Sequence, residues 1–95
     1  MNRYIDGTII EMLYLTGMRR AELIGLKNND VDLSAATIKV TGKRNKQRII
    51  PMVKSFIARL DEYLNIRNES FLSDPEGWFF ITNRGNKLYD KYVYN

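Results

Sequence analysis

Thr16-Gly17-Met18-Arg19-Arg20-Ala21-Glu22-Leu23-Ile24-Gly25-Leu26 is the stretch on which the fold of this chain turns. Gly17 reads as a helix stop, because glycine accepts the left-handed backbone that closes many helix C-termini. A second, shorter helical pattern starts at Arg19 or Arg20 and carries Leu23, Ile24 and Leu26. Arg19 therefore sits where one helix ends and the next begins. A forked guanidinium at such a junction can meet a phosphate, with the N–H groups of the following helix beside it. Glu22 lies three residues on, on the same helical face, where it can orient that guanidinium. An exposed Arg–Glu pair worth a few tenths of a kcal/mol is the competing reading, and the residues alone leave both open.

Working outward, Ile5, Ile9, Met12, Leu13 and Thr16 recur at helical spacing, which predicts a helix over Tyr4–Thr16 with one core-facing stripe. Tyr14 and Tyr63 fall within apolar helical patterns and are expected in the core or at its boundary. Asn28-Asn29-Asp30 is a turn cluster. Thr37–Thr41 alternates with period two and is β-branched, so it predicts a strand; Gln47–Ile50 is a second, and Val31–Leu33 a short third. Gly42–Lys46 suits a hairpin loop, and Pro51 ends the second strand because it lacks the ladder N–H.

Phe56, Ile57, Leu60, Tyr63 and Leu64 define a third helix over Val53–Arg67. After a loop at Ser73–Gly77 come a short buried apolar run, Trp78–Ile81, and a turn at Asn83–Asn86. Leu88–Asn95 reads as the first turns of a further helix that stops uncapped, as if the chain were cut there. The expectation is an α+β fold: helices packed on a small antiparallel sheet built from a two- to three-stranded β-hairpin, in one domain spanning residues 1–95.

The hairpin is also where the charge lies. Between Asp32 and Asp61 there is no acidic residue, but Lys39, Lys43, Arg44, Lys46, Arg48, Lys54 and Arg59 all fall there. Eight basic and eleven acidic residues remain elsewhere, so the net +4 is concentrated on one part of the chain. A solvated charged face normally mixes the two signs, so this polarity points to nucleic acid. A hairpin tipped with Lys and Arg can enter a DNA groove and touch phosphates, although a basic tip kept for solubility fits the same residues. Lys39, Thr41 and Lys43 are expected on one face of the strand, with Ile38 and Val40 on the other.

Composition narrows the chemistry. With no cysteine and no histidine, disulfides, thiolate or imidazole metal sites and Ser–His or Cys–His nucleophiles are excluded. No metal site and no cofactor is expected. No apolar run is long enough to span a membrane, and Met1–Tyr4 leads into a helix rather than a signal peptide, so the cytoplasm is the expected compartment.

Two segments taken together, TGMRRAELIGL and GKRNKQRIIPM with DVDL and a strand between them, closely resemble the first half of the catalytic domain of the tyrosine recombinases, the phage integrase family. The resemblance is tightest over Ile9–Met52 and continues more loosely through Phe79–Lys87. It implies a partial tyrosine recombinase catalytic domain. Arg19 then matches the arginine that holds the scissile phosphate, and Lys43 the hairpin lysine that protonates the leaving 5′ oxygen as general acid. Glu22 matches the acidic position that supports the arginine from behind. Lys39, Lys43, Arg44, Lys46 and Arg48 are the expected DNA contacts.

The implied reaction is a metal-free transesterification through a 3′-phosphotyrosyl intermediate. The implied partners are double-stranded DNA and further recombinase protomers in a synaptic complex, in a prokaryotic, nucleoid-associated setting. The chain departs from the family pattern in lacking the later His/Lys-x-x-Arg motif and the further His or Trp. None of its six tyrosines stands in the nucleophile's context. The expectation is weak DNA binding without cleavage, from part of an enzyme. A stand-alone, non-catalytic DNA-binding module and a protein-interaction domain with a merely soluble hairpin remain the alternatives.

Overall fold

A computed structural model describes residues 3–72 and 74–89 of the chain, with side chains from residue 6 onward. Helix α1 (Arg3–Thr16) is followed by the five-residue α2 (Arg20–Ile24) and a 3-10 turn at Asn28–Asp30. Then come β1 (Val31–Asp32), β2 (Thr37–Thr41), a 3-10 turn at Lys43–Asn45, β3 (Gln47–Pro51) and α3 (Lys54–Asn68). The sheet order is β1-β2-β3, antiparallel throughout. The expected fold class and all three strands are present; β3 runs one residue further than the sequence suggests, through Pro51, which lies opposite Thr37. The proline can occupy that place because β3 is an edge strand.

One side of the sheet makes the core. Ile38 and Val40, on the central strand, are fully buried, and Ile50 on β3 lies opposite Ile38. Against this face pack Ile9 and Met12 of α1, Leu23 and Ile24 of α2, and Phe56, Leu60 and Tyr63 of α3. The other face carries Lys39, with Ile49 opposite it and largely exposed. Gly17 has φ +67 and its N–H reaches back to the Leu13 carbonyl, 3.0 Å, closing α1 as its glycine predicts. Tyr14 is a correction: it is 85% exposed, because the Ile9, Met12 and Thr16 stripe turns it outward. Tyr63 is buried as expected.

Helices α1 and α3 meet through an arginine. The Arg59 guanidinium lies 3.0 Å from a Glu11 carboxylate oxygen and donates to Thr8 Oγ1 at 3.3 Å. It occupies the space above Gly7, where a Cβ would come within 2.6 Å of Arg59 Nη2. A glycine in mid-helix, ordinarily costing about 1 kcal/mol against alanine, is thus explained by close approach.

Of the predicted buried run, Phe79–Ile81 is buried, with Phe79 and Phe80 about 1% exposed, while Trp78 is only partly covered; the run belongs to no strand. Its backbone is satisfied by other means. Phe79 N–H donates to Leu26 O (2.8 Å), Tyr63 Oη–H to Phe79 O (3.0 Å), and Ile81 N–H to Tyr63 Oη (3.3 Å). Arg67, 7% exposed, donates to Phe79 O and Asn28 Oδ1, both at 2.7 Å. Burial holds its guanidinium below the ordinary arginine value, and the nearby Tyr63 opposes that shift. These bonds let irregular chain pass through a core in which every polar group needs a partner. The turn after it is closed by Gly85 at φ +82. Leu88 is buried and Tyr89 exposed, neither in a helix. Of the further helix expected from Leu88, residues 90–95 lie outside the described residues. Among the described residues no helix is long and apolar enough to cross a membrane.

Candidate functional site

The start of α2 and the hairpin between β2 and β3 face one another across an open cleft of about 560 Å³, lined by Gly17, Arg19, Glu22, Gly42, Lys43, Lys46, Gln47 and Arg48. Two separate stretches of sequence converge there because Val40 buries β2 in the same core that takes Leu23 of α2. Arg19 and Lys43, the two residues expected to do chemistry, thus line the same depression.

Arg19 is the N-cap of α2, with an extended backbone (φ −81, ψ 156). Arginine has no acceptor to offer the free N–H groups of the first turn, so only the returning half of a capping box exists: Glu22 Oε1 accepts the Arg19 N–H at 2.8 Å. Glu22 therefore supports Arg19 through its backbone. Its guanidinium partner is a different residue, Arg48, whose two Nη atoms reach the two carboxylate oxygens at 2.9 and 3.1 Å. This corrects the expectation that Glu22 orients the Arg19 guanidinium. The fork of Arg48, then the Arg19 N–H and the two positive charges, hold the Glu22 carboxyl down to about 2, with partial burial opposing them. The same bond raises the Arg48 guanidinium above its ordinary value.

Strand register explains why Arg48 ends up there. It lies opposite Val40, so alternation turns it to the helix side of the sheet, at the rim of the core. Lys39 is opposite Ile49, on the other side, and its ammonium lies 3.7 Å from Asp30 Oδ1. Of the five expected DNA contacts, Lys43, Lys46 and Arg48 line the cleft, while Lys39 does not and Arg44 projects from the exposed hairpin tip. Lys39 and Arg48 are committed to acids from outside the basic window. Arg19, Lys43, Arg44 and Lys46 form no salt bridge among the described residues.

The tip is a tight structure. Gly42 N–H donates to Lys46 O at 2.7 Å and Lys46 N–H to Lys43 O at 3.2 Å. Arg44 and Asn45 both adopt left-handed backbone at φ 59, which is costly for a residue such as arginine. Sequence reasoning did not single out Gly42 as a site residue. A Cβ there would stand 2.9 Å from Glu22 Oε2, so the glycine is what lets the carboxylate sit against the hairpin. Its place directly before the basic loop was the available signal. Gln47 was also missed, and no pattern in the sequence marks it.

The arrangement gathers Arg19, Lys43 and Lys46, none in a salt bridge among the described residues, around a concave surface next to a helix start, a geometry suited to an anionic oxygen. The model of the "Phage integrase family" matches residues 2–95. Tyrosine recombinase XerD of Staphylococcus haemolyticus is 42% identical over 88 residues, covering 92% of this chain and 30% of the relative. Tyrosine recombinase XerC of Chlorobaculum parvum is 39% identical over 93 residues, 93% of this chain and 28% of that protein. The crystal structure of the XerH site-specific recombinase bound to difH substrate, a pre-cleavage complex, superposes with a TM-score of 0.72 at 30% identity, covering 99% of this chain and 28% of that one. The chain therefore spans under a third of the length of these relatives. A family match along nearly its whole length, relatives near 40% identity and a shared fold lead to one assignment: this chain belongs to the phage integrase family, the tyrosine recombinases.

Proposed function

We propose that the cleft binds the phosphate backbone of double-stranded DNA and supplies two of the groups for site-specific recombination by a longer protein. The observation that carries this reading is the convergence of Arg19 and Lys43 on one cleft, with neither in a salt bridge among the described residues. In this reading Arg19 holds the scissile phosphate and stabilises the charge that develops on it. Lys43 delivers a proton to the leaving 5′ oxygen. Lys46 and Arg44 contact neighbouring phosphates. A tyrosine from elsewhere in the longer protein attacks the phosphorus, forms the 3′-phosphotyrosyl bond and displaces the 5′ oxygen; the 5′-hydroxyl of the partner strand later reverses it. The remaining family groups, the second arginine motif included, and the partner protomers are likewise supplied from outside these residues. On its own the 95-residue chain binds DNA weakly, without sequence preference, and cleaves nothing.

The test is DNA affinity as a function of salt. Each phosphate contact contributes about 0.9 to the slope of log affinity against log salt. Replacing Lys43, Arg44 and Lys46 together by Ala should lower the affinity and flatten that slope by about 2 to 3. An affinity that ignores salt, or a slope unchanged in the triple variant, refutes the reading. Covalent capture of a nicked duplex by the chain alone refutes the assignment of the nucleophile to another part of the protein.

A further inference from the structure

We infer that Arg48 is a positioning residue, a clamp that fixes the Lys43 hairpin against the Arg19 helix start, and not a DNA contact. The inference rests on the phosphate-binding role proposed above for that pair. Three contacts carry it. The Arg48 fork closes on both oxygens of Glu22 at 2.9 and 3.1 Å. Glu22 at the same time accepts the Arg19 N–H at 2.8 Å. Gly42, which starts the hairpin turn, leaves Glu22 Oε2 the space that a Cβ would enter at 2.9 Å. A chain of contacts thus runs from β3 through one carboxylate to the backbone of the phosphate-holding arginine.

The geometry separates Arg48 from its basic neighbours. Lys43, Arg44 and Lys46 sit on the turn, where side chains are free to follow a ligand. Arg48 is one residue inside β3, opposite the buried Val40, and register directs it toward α2. Both of its terminal nitrogens are already used on a carboxylate that is only 10% exposed. Turning its fork toward a phosphate breaks both bonds to Glu22 and leaves that carboxylate only the bond from the Arg19 N–H. An ammonium in its place carries the charge but lacks the planar fork needed to hold two oxygens at once. α2 has five residues, too few to hold its own first turn without outside contacts, so the clamp acts where local structure is weakest.

The experiment has two arms on the 95-residue chain. Without DNA, amide hydrogen exchange is compared in the wild type, Arg48→Gln and Arg48→Lys. Both variants should exchange Gly42, Lys46 and Arg19 amides faster by about tenfold or more, while amides in α1 and α3 keep their protection, which excludes global unfolding. Unchanged protection at those three amides overturns the clamp. With a short mixed-sequence DNA duplex, affinities are measured for Arg19→Ala, Lys43→Ala and the double variant in each background. With Arg48 present, the double variant should lose less than the product of the single losses, by about threefold or more. In Arg48→Gln the losses should multiply independently. Coupling that survives in Arg48→Gln, or full recovery of affinity in Arg48→Lys, overturns the inference in favour of simple charge. A wild-type chain without salt-dependent DNA affinity refutes the proposed function, whereas the exchange arm decides the clamp by itself.

Discussion

Protonating Glu22, or replacing it by Gln, should remove a pH-dependent part of the stability that can be worked out from its contacts. The carboxylate accepts two bonds from Arg48 and one from the Arg19 N–H, and its pKa falls from 4.5 to about 2. Taken whole, a fall of that size corresponds to about 3 kcal/mol at about 1.4 kcal/mol per unit. The side chain is only 10% exposed, yet what covers it is the rim of an open cleft and an arginine that is itself 46% exposed. Solvent screens such a pair, so about 1–2 kcal/mol is the expected net contribution.

The direction follows from the depressed value. The stabilisation is complete above the unfolded carboxyl's 4.5 and is lost as pH falls from there to about 2. Urea unfolding of the wild type and Glu22→Gln over a series of pH values measures it. The gap should be constant near neutrality and shrink steadily below about pH 4.5. The other carboxyl groups titrate in both proteins, so the difference isolates Glu22. A gap of the same size at pH 3 as at pH 7, or none at pH 7, refutes the argument.

Three further outcomes follow from other contacts. Tyr63→Phe deletes the hydroxyl that donates to Phe79 O and accepts from Ile81 N–H, both buried; chemical denaturation should show a loss of about 1–3 kcal/mol. Gly85→Ala combines a φ of +82 with a Cβ placed 2.5 Å from the Phe71 ring; the melting temperature should fall, with a cost of about 1–3 kcal/mol. Gly42→Ala drives a methyl group against Glu22 Oε2; stability measured by urea should fall by about 1 kcal/mol, and the loss should disappear in the Glu22→Ala background, where the two effects cannot add.

What could be read from the sequence was whatever depends on neighbours along the chain. The two long helices, the hairpin and the αL glycine that closes α1 all follow from periodicity and turn chemistry, and strand alternation placed Ile38 and Val40 inside. The prediction for Tyr14 went wrong because it sits between Leu13 and Leu15, and only the turn of the finished helix shows that it points away from the stripe. Charges were harder. Counting seven bases in one window did not reveal that Lys39 and Arg48 are neutralised by Asp30 and Glu22, from other elements. Arg67 looked like an ordinary basic residue near a helix end, yet it organises the passage of Phe79 through the core. Asn68 beside it takes two of its bonds, but the partners that tie it to the core, Phe79 and Asn28, lie far from it in sequence, and no local pattern encodes them. Arg19 and Lys43 could be paired only through family resemblance, since each alone fits an ordinary surface residue.

The five-residue α2 has a thermodynamic consequence. A helix this short has no independent existence in water, so the cleft it lines is present only while the whole molecule is folded. Any anion that fills the cleft binds the native state and not the unfolded one. By mass action it must raise the unfolding free energy by RT ln(1 + [L]/Kd), about 2.7 kcal/mol at a hundredfold excess over Kd. Occupancy of the cleft can therefore be followed as a rise in melting temperature, with no label and no turnover.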